Sequence, residues 1–345
     1  MADIKTLRVV QWATGNIGTK SLQRVIEHPY MELVGLYVST PEKVGKDAGS
    51  LCGLAPVGVK ATNRLEDIID LKADCVLYMR QGTDLAEVVA LLENGTNIVT
   101  TRGDFHHPGS MEPAIRARVE AACAKGGTSI YSTGSSPGFI TEAMLLPLIS
   151  LTRRLDCVTI DEFANMTSRD SPDMIFNIMG YGVDPGSFDQ AKLDYIKHDF
   201  AGSLSQIADG MGTPFDSIDV IGEMGCANKD TRIAAGLIEK GKVAALRITV
   251  TGHHKGRPLL RFRANWYCST DIDKDWALRE SGWRVLVEGD TPMEMNIRFP
   301  VSAADYPKVT PGFTAHRAVN AVHAVCAAPP GIQTTVSLPQ VIAQF

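Results

Sequence analysis

The stretch VVQWATGNIG, Val9–Gly18, decides how the chain is read. An apolar run ending in Trp12 meets a turn in which Ala13, Gly15 and Gly18 take the three places of G-x-G-x-x-G. In that pattern the first residue makes a tight turn, the second lets backbone approach a pyrophosphate, and the third lets helix pack on strand. Both later glycines are present, and alanine in the first place adds only a methyl group. The helix that follows presents its N-terminal N–H groups to an anion. The motif is weak alone, and glycines for turn geometry are the plain alternative. With a strand before and a helix after, Ala13, Thr14, Gly15, Asn16, Ile17 and Gly18 are candidate dinucleotide contacts.

Working outward, the first 130 residues alternate strand-like and helix-like segments. LRVVQWA, MELVGLYVS, DCVLYM, TNIVTT and TSIYST are short, apolar and rich in Val, Ile, Tyr and Thr. Between them TKSLQRVIEH carries Leu22, Val25 and Ile26 on one face, and two helical stretches stop at glycine, in ENG and KGG. The pattern predicts an α/β fold, a Rossmann-type doubly wound parallel sheet. From about Thr152 the segments change: VAALRITVTGHH, PLLRFRANWYCST, GWRVLVEGD and MEMNIRFPV are long alternating strands. A Gly-Arg-Pro hairpin turn is expected between the first two, in a second α+β domain with a mainly antiparallel sheet. The expected division is a dinucleotide-binding domain over 1–138, a substrate and dimerisation domain over 139–310, and a C-terminal helix within 311–345 that returns to the first.

An NAD-binding site places Asp or Glu roughly 20 residues past the glycines, where it holds the ribose hydroxyls. Here that region reads YVSTPEKVGK, with Ser39 and Thr40 and no acid before Glu42. Hydroxyls donate to a 2′-phosphate, and Lys43 and Lys46 supply charge. NADP(H) is the expected dinucleotide and NAD(H) the alternative; a solvated loop is the plain reading. Thr100 and Thr101, at the end of TNIVTT, and Ser136, in TGSSPGF, lie at carboxyl strand ends where open parallel sheets bind ligands. Gly134-x-Ser136-x-Gly138 imitates a hydrolase elbow, but the residue after the serine is Pro137, which has no N–H for an oxyanion hole.

Bulk properties narrow the function. The 345 residues carry a net charge of −5 with no cationic cluster, which argues against a nucleic-acid or anionic-membrane binder. FITEAMLLPLISL, the longest apolar run, is broken by Glu142 and Pro147 and is too short to span a bilayer. Seven scattered cysteines without C-x-x-C spacing fit a reducing compartment. With no apolar leader in MADIKTLRVV, a cytoplasmic protein is expected. No metal is expected: His253 and His254, adjacent in a strand, point to opposite faces. His106 and His107 follow VTTRGD at the ligand-binding sheet edge and are substrate-pocket candidates, as are Met179 and Tyr181 in MIFNIMGYG. Helical spacing of such apolar residues equally describes core.

WATGNIG, STPEKVGKDAG, NIVTTRGD, STGSSPGF and AVNAVHAVCAAPPGI together resemble the dihydrodipicolinate-reductase-like group, nearest to its 2,4-diaminopentanoate dehydrogenases and native amine dehydrogenases. The resemblance implies a Rossmann domain, a second α+β domain, a homodimer and a small-molecule amine or carbonyl substrate. It also implies NAD(P)H-dependent reductive amination of a ketone or aldehyde, and the reverse amine oxidation. In such relatives an acid after the VTT-like strand acts on the amine, and Asp104 stands there in place of the usual glutamate. Alternatives are an imine or carbonyl reductase of another substrate, or an inactive NADP(H)-binding regulator.

Overall fold

The computed structural model describes residues 4–186, 188–302 and 304–345; the first three residues of the N-terminal segment, read above for a leader, lie outside them. The chain divides into two units, Met1–Ala143 with Lys308–Phe345, and Met144–Pro307.

The first unit runs β1 (Leu7–Trp12), α1 (Asn16–Ile26), β2 (Met31–Tyr37), α2 (Ala48–Leu51), β3 (Ala61–Thr62), α3 (Leu65–Asp70), β4 (Cys75–Tyr78), α4 (Leu85–Glu93), β5 (Asn97–Thr100), α5 (Pro113–Gly126) and β6 (Ser129–Ser132). The second holds α6 (Leu145–Ile149), β7 (Leu155–Asn165), α7 (Gln190–Gly210), β8 (Ser217–Cys226), β9 (Thr231–Ile233), β10 (Gly236–Ile238), β11 (Val243–His254), β12 (Arg257–Tyr267), β13 (Gly282–Gly289) and β14 (Met293–Arg298). α8 (Tyr306–Cys326) then leads back to the first unit, which closes with β15 (Gly331–Gln333).

The first sheet has the order β15-β6-β5-β4-β1-β2-β3, every pairing parallel. Its central strands are apolar on both faces because both are covered. Val9, Leu77, Val99 and Tyr131 pack on one side with Val25 of α1 and Ala318, Val319 and Val322 of α8. Val10, Val76, Ile98 and Ile130 pack on the other with Val88 and Leu91 of α4 and Val119 and Ala122 of α5. Each wholly buried Val, Leu or Ile among them contributes about 1.5–3 kcal/mol. The glycine stops hold: Gly127 ends α5 at φ 66°, and Gly95 follows α4 at φ 88°. The helix expected within 311–345 ends at Cys326. Beyond it Gly331 N–H donates to Thr128 O, and Ser129 Oγ donates to Pro329 O, which seats β15 on β6.

The second sheet, β14-β13-β7-β12-β11-β8, is mixed: β7 and β12 are parallel and the other neighbours antiparallel. α7 packs on its apolar face, where Phe200 stacks on Phe262 with centroids 3.8 Å apart. On the alternate positions buried Asp161 of β7 is clamped by Arg263 of β12 and Arg284 of β13, its partners in register. These guanidiniums outweigh burial and hold its carboxyl below the usual range. The β11–β12 turn is centred on Lys255 and Gly256, both at positive φ, one residue earlier than the expected Gly-Arg-Pro. No helix of the described residues is long and apolar enough to cross a membrane.

Candidate active site

The first sheet reverses strand order between β1 and β4: the chain winds outward through β2 and β3, then back through β4, β5 and β6. Ligands of such sheets bind beyond the carboxyl ends of the strands at that reversal. Ala13 makes the turn there at φ 73°, a left-handed conformation that costs alanine about 1–2 kcal/mol. Buried Gln11 braces it, its Nε2 donating to the carbonyls of Trp12 and Ala13 at 3.2 and 3.0 Å. The two glycines differ in their surroundings. A Cβ on Gly18 would meet Ala13 O at 2.3 Å, so the third place is set by helix–turn packing. A Cβ on Gly15 would meet nothing within 4 Å. Gly15 caps α1 with extended backbone, no side chain caps the helix, and its first turn carries no acid. The first-turn N–H groups have no carbonyl one turn back, and the space beside Gly15 is open, a combination suited to an anion.

Lys43, in the loop after β2, reaches this turn: Nζ donates to the hydroxyl of Thr14 at 2.9 Å and to its carbonyl at 3.2 Å. Ser39 and Thr40 are exposed on the same loop. Trp12 and Tyr37 stack with centroids 3.8 Å apart at the ends of β1 and β2. At the end of β5, Thr100 is wholly buried and donates to Tyr78 O at 2.8 Å, so it braces strands rather than contacting a ligand. Thr101, one residue on, is half-exposed. After β6, Ser135 is tied to Thr314 of α8 by a 2.7 Å hydroxyl pair. The enclosed Ser136 hydroxyl has no hydrogen-bond partner among the described residues. A buried hydroxyl so left calls for a partner such as a ligand amide or water.

Asp104 lies in the short turn Gly103–Phe105, half-exposed, and accepts from Thr83 Oγ1 at 2.7 Å; Arg102 Nε stands 3.5 Å away. His107 Nδ1 is 2.6 Å from Ser110 Oγ. His106 is buried, and its Nδ1 lies 2.7 Å from Oε1 of Glu142, which is wholly enclosed. Thr335 donates to the other carboxylate oxygen of Glu142, and Tyr131 Oη is 2.7 Å from Thr335 Oγ1. Burial, and then the Glu142 charge, raises the Tyr131 hydroxyl above its usual range. In the sequence Glu142 reads only as a break in an apolar run, and a single carboxylate inside FITEAMLLPL is the available signal.

Tyr181 does not line an open cleft. Tyr181 is wholly buried in the core of the second unit with Phe163, Ile175 and Val243, and Met179 packs against the same cluster. Among the described residues no group of three or more His, Cys, Asp or Glu side chains is placed to hold a metal.

Fold and site together define a two-unit α/β protein with a glycine turn at the switch point of its parallel sheet. Residues 9–108 match the family described as dihydrodipicolinate reductase, N-terminus. The chain is 24% identical over 347 residues to an amine dehydrogenase of Streptomyces virginiae, covering 96% of each. It is 32% identical over 133 residues to a 4-hydroxy-tetrahydrodipicolinate reductase of a Nostoc species, covering 38% of this chain and 40% of that one. Its fold is that of the amine dehydrogenase of Mycobacterium smegmatis, with a TM-score of 0.76 at 19% identity over 98% and 97% of the two chains. The resemblance read from the sequence motifs is borne out.

Proposed function

We propose that this protein is an NAD(P)H-dependent oxidoreductase acting at a C–N centre, which aminates a small ketone or aldehyde reductively and runs the reverse amine oxidation. The observation that carries the reading is the half-exposed carboxylate of Asp104 at the sheet edge that bears the glycine turn, in a chain similar along its length to an amine dehydrogenase. When bound, the nicotinamide supplies or accepts the hydride. The chain's own residues do the rest. The backbone of Ala13–Gly18 holds the pyrophosphate. Ser39, Thr40 and Lys43 meet the adenosine ribose, which favours a 2′-phosphate and hence NADP(H) over NAD(H). Thr101 and Ser136 serve the nicotinamide half.

Asp104 moves the protons. Its carboxylate takes one from ammonium, releasing nucleophilic ammonia, and gives it to the carbinolamine hydroxyl, which leaves as water. The test is oxidation of NADPH with a panel of small ketones and aldehydes, with and without ammonia. Ammonia-dependent oxidation supports the reading; ammonia-independent oxidation points to a carbonyl reductase. A second reading, a dinucleotide-binding regulator without turnover, is favoured by the engagement of Asp104 with Thr83 and Arg102. Binding without oxidation of NADPH would support it. A cytoplasmic homodimer follows from the same resemblance and from seven free cysteines.

A further inference from the structure

Adjacent residues of β7 carry carboxylates with opposite surroundings. Asp161 meets the guanidiniums of Arg263 and Arg284. Glu162, on the other face of the strand, is half-buried and meets two indoles instead. Trp266 Nε1 of β12 donates to one carboxylate oxygen at 3.3 Å. Trp283 Nε1 of β13, the partner of Glu162 in register, donates to the other at 3.2 Å. Among the described residues no basic nitrogen lies within 4 Å of Glu162. Two indole N–H groups orient a carboxylate but leave its charge in place, and a neutral acceptor would satisfy them as well. Each carboxylate oxygen keeps room for a second donor, and a partly buried charge without a counter-charge is costly.

The two strands end beside a cavity of about 470 Å³, within the range of small-molecule sites. Asn165, Ser281, Phe299, Val301 and Tyr306 are among its walls. Asn165 N–H donates to Ser281 Oγ at 2.9 Å, which joins the strand ends just beyond the Glu162–Trp283 pair. Rings lead from that pair to the cavity. Phe299 meets Trp283 edge-on with centroids 4.9 Å apart, and Tyr306 lies 6.4 Å from Phe299. Burial foremost, and the Glu162 charge after it, raise the Tyr306 hydroxyl above its usual range, against a bond with Ser281 and the charge of Arg169. The field of Glu162 therefore reaches the cavity wall. Arg298, also on the wall, donates to Glu280 and so has its own counter-charge. A carboxylate with spare acceptor sites beside aromatic walls suits an ammonium head with a short hydrocarbon chain.

We propose that Glu162 anchors a binding site for a small primary alkylammonium, whose chain lies in the cavity walled by Phe299 and Tyr306. The site lies within the second unit, and its test does not depend on the oxidoreductase activity proposed above. The chain has four tryptophans, so its indole N–H signals can be followed singly by NMR. The full chain, labelled with nitrogen-15, is titrated with butylammonium chloride at constant ionic strength, and with 1-butanol as the neutral counterpart. Trp266 and Trp283 are assigned by the signal lost in Trp266→Phe and in Trp283→Phe. Both signals are expected to shift saturably with butylammonium, with a Kd of about 10 mM or tighter. Butanol binds at least roughly tenfold more weakly, and Glu162→Gln, of the same shape without the charge, weakens butylammonium by at least roughly tenfold. No saturable shift of any indole signal in the wild type, or a response to butanol as strong as to butylammonium, overturns the proposal and needs no variant to fold. Shifts confined to Trp12 or Trp276 overturn it too, as does a smaller loss of affinity in a folded Glu162→Gln protein.

Discussion

The carbonyl oxygen of Ala13 stands 2.3 Å from where a Cβ on Gly18 would lie, whereas the same atom on Gly15 would lie in open space. The two glycines of one motif therefore differ: packing within the chain dictates Gly18, and none of the chain's own atoms dictates Gly15. Gly18→Ala is expected to destabilise the protein by about 1–3 kcal/mol, because backbone must shift to admit the methyl group. Gly15→Val is expected to melt close to wild type and to lose dinucleotide affinity, since its branched side chain fills the space meant for phosphate. Thermal melts paired with calorimetric titration check both. Normal cofactor affinity in Gly15→Val would place the site elsewhere.

The contact of Lys43 with Thr14 joins the loop after β2 to the glycine turn. Ser39→Asp is expected to weaken NADPH and favour NADH, because a carboxylate repels a 2′-phosphate and accepts from a free 2′-hydroxyl. Lys43→Ala is expected to weaken NADPH more than NADH. The ratio of the two dissociation constants is the measurement, and an unchanged ratio in both variants would remove this loop from the ribose.

Most of the first unit was legible because parallel strands covered on both faces leave uninterrupted apolar runs such as CVLY and NIVT. β3 and β15 were not, since two or three residues after a loop or a Pro-Pro-Gly carry no periodicity. β8 is hard to read although SIDVIGEMGC alternates in burial, because Gly222 interrupts its inward side and Ile221 stands on its outward side. At the site, the glycine turn announced itself locally. The partners of Glu142 come from the segment after β5 and from the C-terminal segment, and pairings so distant in sequence leave no local trace. Tyr181 shows the converse: spacing marks a residue as apolar-facing but does not separate pocket from core.

His28 is 5% exposed and its Nδ1 accepts the Tyr30 N–H at 3.1 Å, a bond that only an imidazole with bare Nδ1 can make. Burial, then the charges of Arg24 and His323, lowers its pKa from 6.5 to about 4. The folded state thus binds fewer protons than the unfolded chain between those values. The stabilisation is complete above about pH 6.5 and is lost as pH falls towards 4, by at most about 3 kcal/mol. Urea unfolding across that window should show the loss. His28→Asn, whose side-chain oxygen can take the Tyr30 N–H, should flatten it; an equally steep decline in that variant would assign the acid sensitivity to other groups.

Asp104→Asn retains the hydrogen-bond acceptor for Thr83 and removes the proton-transfer function. It is expected to bind NADPH normally and to lose turnover by roughly 100-fold or more. Near-normal turnover would discard Asp104 as the acid/base and direct attention to His107 on the same loop.

The most direct test of the account is the absorbance of NADPH mixed with the wild-type protein, a panel of small ketones and aldehydes, and ammonium near neutral pH. The account predicts oxidation that requires both carbonyl compound and ammonium, with the corresponding amine as product. Tight binding of NADPH with no oxidation by any member of the panel, in either reaction direction, would contradict it.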